Sequence, residues 1–419
     1  MQIKLAYGKG YQEVDIPDAQ VAGILRGNTA IPGKEGREMV TEALHNPLGT
    51  PRLRDIIRGK GARKVVVVVN DITRPTPYHV MLPPLLEEIH AAGVGVDGVT
   101  LVVATGIHRG HTAEENREIY GAEVAEKYRI VNHNCDEELV SLGQLANGRE
   151  LLLNREVVEA EVLVTTGLVG LHYIAGYSGG RKSILPGVAG RKLIEANHAL
   201  MTDERATLGN YEDNPVHHLA MEAARRVGVD FILNVVTTPD KNISKAVAGD
   251  LELAWLEAVK FCEANQIIAI HEPADLVIAG CGGYPKDINL YQAQKALDAT
   301  AAAVRPGGTI ILVAECCEGL GEPVFAEWLD QASQPQDIIE RFSAGFQLGG
   351  HKAYAICRLL ERVRVVLVSR MDPGMTRKAF LTPVASLQEA WEQVSFHHGP
   401  AARVLVVPEA PSVAIRLRA

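Results

Sequence analysis

The 419-residue sequence contains no apolar run approaching the roughly 18 residues that would carry a helix across a bilayer. Its six cysteines, Cys135, Cys262, Cys281, Cys316, Cys317 and Cys357, show no CxxC spacing and fall inside apolar runs. That argues against a disulfide or zinc framework and for reduced, mostly buried thiols. No long basic run occurs and the net charge is -9, so nothing here recruits a phosphodiester backbone. Short-period repeats and low-complexity linkers are missing too, which removes solenoid architectures. The opening MQIKLAYGKGYQEVDIP has neither a long apolar segment nor a small-residue cleavage pattern. The expectation is a cytoplasmic protein without nucleic-acid or membrane partners.

What is present is a balance of 47% hydrophobic and 22% charged residues, that of a soluble globular protein long enough for two domains. Short β-branched runs alternate with helical patterns: 65–70, 99–106, 162–167, 231–238, 275–283, 309–316, 363–369 and 403–410. Continuous apolar strands separated by helices predict parallel sheets covered on both faces, hence the α/β class. LPPLLEEIHAAG at 82–93 reads as a helix with two prolines at its start and a closing glycine. The strand-helix cadence restarts after 262–274, which predicts an N-terminal domain of residues 1–265 and a C-terminal domain of residues 266–419. Ligands of open parallel sheets bind outside the carboxyl ends of the strands. Four such ends carry polar clusters, NDITRPTP (70–77), TGIHRGHT (105–112), GLHYIAGYSGGRKSILPG (170–187) and CGGYPKDINLYQAQKA (281–296). An active-site cleft between the domains would gather them.

The 170–187 loop combines five glycines with a paired Arg181 and Lys182. It misses the Walker pattern because arginine, not glycine, precedes the lysine, which disfavours an ordinary P-loop NTPase. GVGVDG at 93–98 spells GxGxxG but precedes a strand, and GCGGYP at 280–285 lacks the third glycine, so an NAD-type site has little support. His108 and His172 stand just past apolar strands beside glycines. Either alone is more often a capping group, but two at equivalent strand ends could exchange roles as acid and base. His111 reads as a loop-stabilising residue. His198, in the helical stretch 191–201, reads as a surface histidine unless a tethered cofactor supplies further ligands to a metal. Asp71 and Arg74 suit a rigid Asx-type turn or, alternatively, a guanidinium fork for a carboxylate. Tyr291 and Lys295 share a helical face by their spacing, with Gln292 beside them. A carboxylate held between Arg74 and Lys295 would account for both cations.

Together, DITRP, TGIHRGHT, GLHYIAGYSGGRKSILPG, the following ANH, YQAQKA and GHKAYA resemble the nickel-dependent lactate racemase family. The resemblance implies a nickel-pincer nucleotide, pyridinium-3,5-bisthiocarboxylic acid mononucleotide, attached covalently to Lys182, with His198 as the nickel ligand. It implies Asp71, Gly179 and Gly180 at the cofactor, His108 and His172 as acid/base pair, and Arg74, Tyr291, Gln292 and Lys295 at the substrate. The activity implied is racemisation or epimerisation of a 2-hydroxy acid, lactate or a relative, by reversible hydride transfer to the nucleotide. Cofactor-maturation enzymes are the implied partners. Tyr78, Tyr173 and Tyr354 are candidates for lining the side-chain pocket. Two other readings stand beside this one. A nucleotide- or metal-binding protein without turnover would not need both histidines, and an NAD-dependent 2-hydroxy-acid dehydrogenase would need the missing fingerprint.

Overall fold

A computed structural model describes residues 1–28, 33–238, 240–347 and 349–418. The chain divides into two compact units, one of Thr29–Asn265 and one of Met1–Asn28 with Gln266–Ala419. The first 28 residues thus depart from the sequence expectation, which placed them with the N-terminal domain. The reason is pairing. Val21–Ile24 adds a parallel edge strand beside Val404–Val407, and the hairpin of Gln2–Tyr7 and Gly10–Asp15 buries Ile3, Leu5 and Val14 in the same core as Leu276 and Ile311.

The Thr29–Asn265 unit is built on a six-stranded sheet in the order Ile243–Gly249, Phe231–Thr237, Val162–Leu168, Val65–Asn70, Val99–Ala104, Arg129–Asn132. All neighbours are parallel except the first pair. Strand alternation explains the valine run: Val65, Val67 and Val69 enter one core, while Val66 and Val68 enter the core on the opposite face. The other unit carries a wholly parallel six-stranded sheet, ordered Thr382–Val384, Arg364–Val368, Val304–Val313, Ala274–Gly280, Val404–Val407, Val21–Ile24. Every apolar run read from the sequence is a strand of one sheet or the other.

The expected helix at 82–93 begins earlier, at Tyr78, so Pro83 and Pro84 lie inside it instead of at its start. The peptides of Pro77 and Thr76 already close its first turns, with Met81 N bonded to Pro77 O at 3.2 Å and Tyr78 N to Thr76 O at 2.8 Å. Eight residues of this helix are buried, and that packing outweighs the hydrogen bonds the two prolines cannot donate.

Strand order also locates a switch point. From Val65–Asn70 the chain adds strands on one side, then returns at Val162–Leu168 to build the other side. In open α/β sheets the loops leaving such neighbours diverge, and ligands bind in the crevice between them. NDITRP leaves one strand and VGLHY the other.

Candidate active site

At this switch point Asp71 is 4% exposed and held from both oxygens. Thr73 Oγ1 donates to Oδ1 at 2.6 Å, and His108 Nδ1 lies 2.7 Å from Oδ2. Burial pushes the carboxyl upward, but the bonds from His108 and Thr73, with the charges of His108 and Arg74, outweigh it and hold Asp71 below its ordinary value. An ionised Asp71 accepts only, so His108 carries its proton on Nδ1 and its lone pair on Nε2. The half-exposed ring can therefore take a proton from a bound molecule. His111 takes the loop role expected of it: its Nε2 accepts from Ile72 N at 2.8 Å, and its Nδ1 lies 3.1 Å from Asn116 Oδ1.

His172 is wired in the opposite sense. Leu171–His172 pairs with Gly176–Tyr177 in a short hairpin whose turn bends the Ala175 and Ile174 amides back onto Nδ1, at 3.2 and 3.4 Å. Those N–H groups can only donate, so the neutral ring bears its proton on Nε2. Burial, then the charges of Lys182, Arg74, His198 and Arg181, depress its basicity far below that of a free imidazole. Tyr173 stacks on it with centroids 5.0 Å apart.

Beyond the hairpin, Gly179 and Gly180 adopt φ of +76° and +52°, conformations that side chains disfavour. A Cβ at Gly179 would meet Val169 Cγ2 at 2.6 Å, and one at Gly180 would meet Trp255 Cδ1 at 2.9 Å. The turn is pinned by Asn234, whose Oδ1 accepts from Gly180 N at 2.8 Å. Arg181 is wholly buried beneath it, donating to Ala175 O at 2.8 Å and Gly179 O at 3.2 Å and lying 4.2 Å above the Trp255 ring. Lys182 follows on the short helix Gly180–Ser183. Burial, reinforced by the cations Arg74 and Arg181, drives its amine well below the ordinary lysine range, which favours its neutral, nucleophilic form.

His198 lies in the last turn of helix Arg191–Ala199 and donates Nδ1–H to Ile194 O across 2.8 Å. The lone pair is then on Nε2, the usual state of a metal-ligating imidazole with a backbone partner. Burial and the nearby Lys182 lower its pKa to about 4, so the ring is neutral. The sequence-based alternative, a surface histidine, is corrected here, because the ring is largely withdrawn from solvent and near Lys182, His108 and Arg74. Among the described residues no group of three or more His, Cys, Asp or Glu side chains could hold a metal ion. A metal at His198 must bring its other ligands with it.

Asp71, Arg74, His108, His172, Lys182 and His198 are thus brought together in one unit, near enough for their charges to act on one another. Tyr291, Gln292 and Lys295 belong to the other unit, on helix Leu290–Thr300. Lys295 Nζ donates to Gln292 Oε1 at 2.8 Å, and Asn289 caps the helix by accepting from Gln292 N at 3.0 Å. Tyr291 turns toward Phe325, and its carbonyl accepts from buried Lys352 at 2.8 Å. Of the pocket candidates, Tyr78 is wholly buried against Thr166 and Tyr354 stacks on Phe342 at 4.2 Å, so both are packing residues. Sequence reasoning gave no role to Asn234, although an asparagine inside the apolar strand FILNVVT is a visible signal.

Parallel sheets with polar loops at a switch point, a desolvated lysine and two oppositely wired histidines make up a candidate small-molecule site. Residues 7–209 match the lactate racemase N-terminal domain family and residues 269–415 the lactate racemase C-terminal domain family. The chain belongs to the lactate racemase family. It is 36% identical over 427 residues to the lactate racemase of Thermoanaerobacterium thermosaccharolyticum and 34% identical over 426 residues to that of Lactiplantibacillus plantarum, covering 99% of this chain and of each relative. The structure of the lactate racemase apoprotein from Thermoanaerobacterium thermosaccharolyticum superposes with a TM-score of 0.93 at 34% identity, covering 99% of this chain and 100% of that one. A Thermotoga maritima protein at 16% identity shares the fold, with a TM-score of 0.65 over 94% of this chain and 100% of its own.

Proposed function

We propose that this chain is a racemase of 2-hydroxy acids, with lactate as the first substrate to test. The observation that carries the reading is the pair of complementary imidazoles at one switch point, His108 with its Nδ1 on Asp71 and His172 with its Nδ1 on two backbone amides. The nickel-pincer nucleotide of the family, when bound, supplies reversible hydride acceptance and the metal that tunes it. The donor set fits such a group: Lys182 offers a primary amine whose neutral form is favoured by burial, and His198 a single imidazole nitrogen for a metal that arrives with other ligands.

In this reading Arg74 holds the substrate carboxylate, and Tyr291, Gln292 and Lys295 are the substrate-binding residues of the other unit. His108 takes the hydroxyl proton through Nε2, and ionised Asp71 stabilises the imidazolium that forms. His172, neutral at its Nε2–H, polarises the oxygen as a hydrogen-bond donor. To give the opposite enantiomer the oxygen must regain a proton on its other side, which His172 supplies once the proton held on His108 has been exchanged through solvent. As base for that enantiomer His172 must first turn its lone pair away from the Ile174 and Ala175 amides. Asp71, Gly179 and Gly180 complete the cofactor's surroundings. Cofactor-maturation enzymes are the proposed partners and the cytoplasm the proposed location. No helix among the described residues is long and apolar enough to cross a membrane.

The test is polarimetric or chiral-column assay of cofactor-loaded protein on enantiopure lactate and a panel of other 2-hydroxy acids, beside His108→Ala and His172→Ala. Racemisation lost in both variants supports the reading. Retained racemisation in either, or net oxidation dependent on added NAD, overturns it.

A further inference from the structure

The His172 ring is only as well oriented as the two amides that face its Nδ1. The closer of them, Ala175 N, belongs to the peptide whose oxygen is Ile174 O, and that oxygen accepts a hydrogen bond from Asn214 Nδ2 at 2.8 Å. One peptide plane is therefore gripped at its oxygen and aimed by its N–H at the imidazole. We infer that Asn214 is a positioning residue, setting the orientation and tautomer of His172 through the Ile174–Ala175 peptide. The inference rests on the proposed acid/base role of His172.

Three features support this assignment over a purely structural one. Asn214 is wholly buried and both ends of its amide are committed: Oδ1 accepts from Val216 N at 2.9 Å and His217 N at 3.4 Å, capping helix Pro215–Val227, while Nδ2 donates to Ile174 O and to Asn210 O at 2.9 Å. Capping needs only the oxygen, and aspartate, serine or threonine would provide it equally well. The amide nitrogen adds something capping does not require, a donor on the peptide that faces His172. Donation to a carbonyl polarises its peptide and strengthens the N–H at the other end. The next peptide is gripped in the same way, Ala175 O by the buried guanidinium of Arg181. Both anchors bear on a turn of only three residues, Tyr173 to Ala175, between the paired residues His172 and Gly176.

Asn214→Asp tests the relay because it keeps the capping oxygen and removes the donor. Imidazole nitrogen resonances of 15N-histidine-labelled, cofactor-free protein at neutral pH, assigned to His172 by their loss in His172→Gln, read the tautomer directly. The wild type should show His172 with an unprotonated, hydrogen-bonded Nδ1, and Asn214→Asp a mixture of tautomers. The loaded variant should lose about tenfold to hundredfold in kcat, the scale of a misplaced catalytic group, with little change in KM for substrate. Asn214→Ser, which also caps but is too short to reach Ile174 O, should behave alike and covers failure of the aspartate variant to fold. Folded variants with an unchanged His172 spectrum overturn the relay, and a changed spectrum with unchanged kcat overturns the positioning role. Should His172→Gln still racemise, the functional reading fails, while the spectrum of the cofactor-free protein still decides whether Asn214 orients the ring.

Discussion

Replacing Asp71 with asparagine isolates the carboxylate from its shape. The carboxylate accepts from His108 at 2.7 Å and Thr73 at 2.6 Å inside a nearly closed pocket, so the substitution exchanges a charge-assisted acceptor for a neutral amide at constant volume. Hydrogen bonds to charged groups contribute about 1.5–3 kcal/mol. If that contribution is felt in the transition state, where His108 becomes an imidazolium, kcat falls by about tenfold to hundredfold. If the asparagine presents its NH2 to His108, the ring changes tautomer and Nε2 loses its lone pair. A serine-protease triad altered in this way loses about 10⁴ in kcat, which sets the lower bound on surviving activity here. Chiral-column assay of racemisation by equally loaded wild type and Asp71→Asn measures the loss. Stability offers a second readout. The folded pKa of Asp71 lies below the ordinary 3.8, so the carboxylate stabilises the fold fully above that value, and the contribution disappears as pH falls through the lower folded value. The stability difference between wild type and variant should be widest above pH 5 or so and narrow in acid. A folded, loaded variant with kcat within about twofold of wild type would refute the argument that His108 depends on this carboxylate.

Lys182→Arg keeps a long basic side chain but removes the acylatable amine, so intact-mass spectrometry of protein matured with the cofactor enzymes should show a nucleotide-sized adduct on the wild type and none on the variant. In cofactor-free protein, trace acetylation near neutral pH should favour Lys182 over surface lysines, because its amine deprotonates well below 10.5 and reactivity rises as pH passes through that lowered value. Uniform labelling of all lysines counts against a neutral amine. His198→Ala should lose nickel, read by elemental analysis, while the mass adduct on Lys182 persists; full nickel occupancy removes His198 from the ligand set. Asn234→Ala leaves the buried Gly180 N–H without its 2.8 Å acceptor and should cost about 1–3 kcal/mol in urea unfolding. A change below about 0.5 kcal/mol shows that the glycine turn does not depend on this bond.

Eight of the twelve strands in the two large sheets were legible because they are largely buried on both faces and are spelled by apolar, mostly β-branched runs, as at Val65–Val69. Val21–Ile24 was not, because VAGI is a short, half-exposed edge strand with no apolar run to announce it, and its partner lies nearly four hundred residues downstream. Ile243–Gly249 was missed for a related reason: it pairs antiparallel at a sheet edge and carries Ser244 and Lys245. Histidines at strand ends could be picked out by position, but not by protonation. His108 and His172 look alike in sequence, each beyond a strand and beside glycine. Only the folded neighbours, Asp71 for one and a bent hairpin for the other, assign them opposite tautomers.

That asymmetry has to be reconciled with a reaction that has none. Mirror-image substrates are equal in free energy, so the equilibrium constant of racemisation is unity and kcat/KM must be the same in both directions, however differently the two histidines are held. In the proposed reading one of them is prepared in advance. His108 rests with its lone pair outward and its carboxylate in place, whereas His172 rests as a donor and must break its contacts with the hairpin amides before it can accept. The cost of that turn is kept low by contacts at 3.2 and 3.4 Å, long for N–H bonds. The unequal preparation can therefore enter kcat and KM separately for each enantiomer, a larger kcat being matched by a larger KM, while their ratio remains fixed by the symmetry of the substrates.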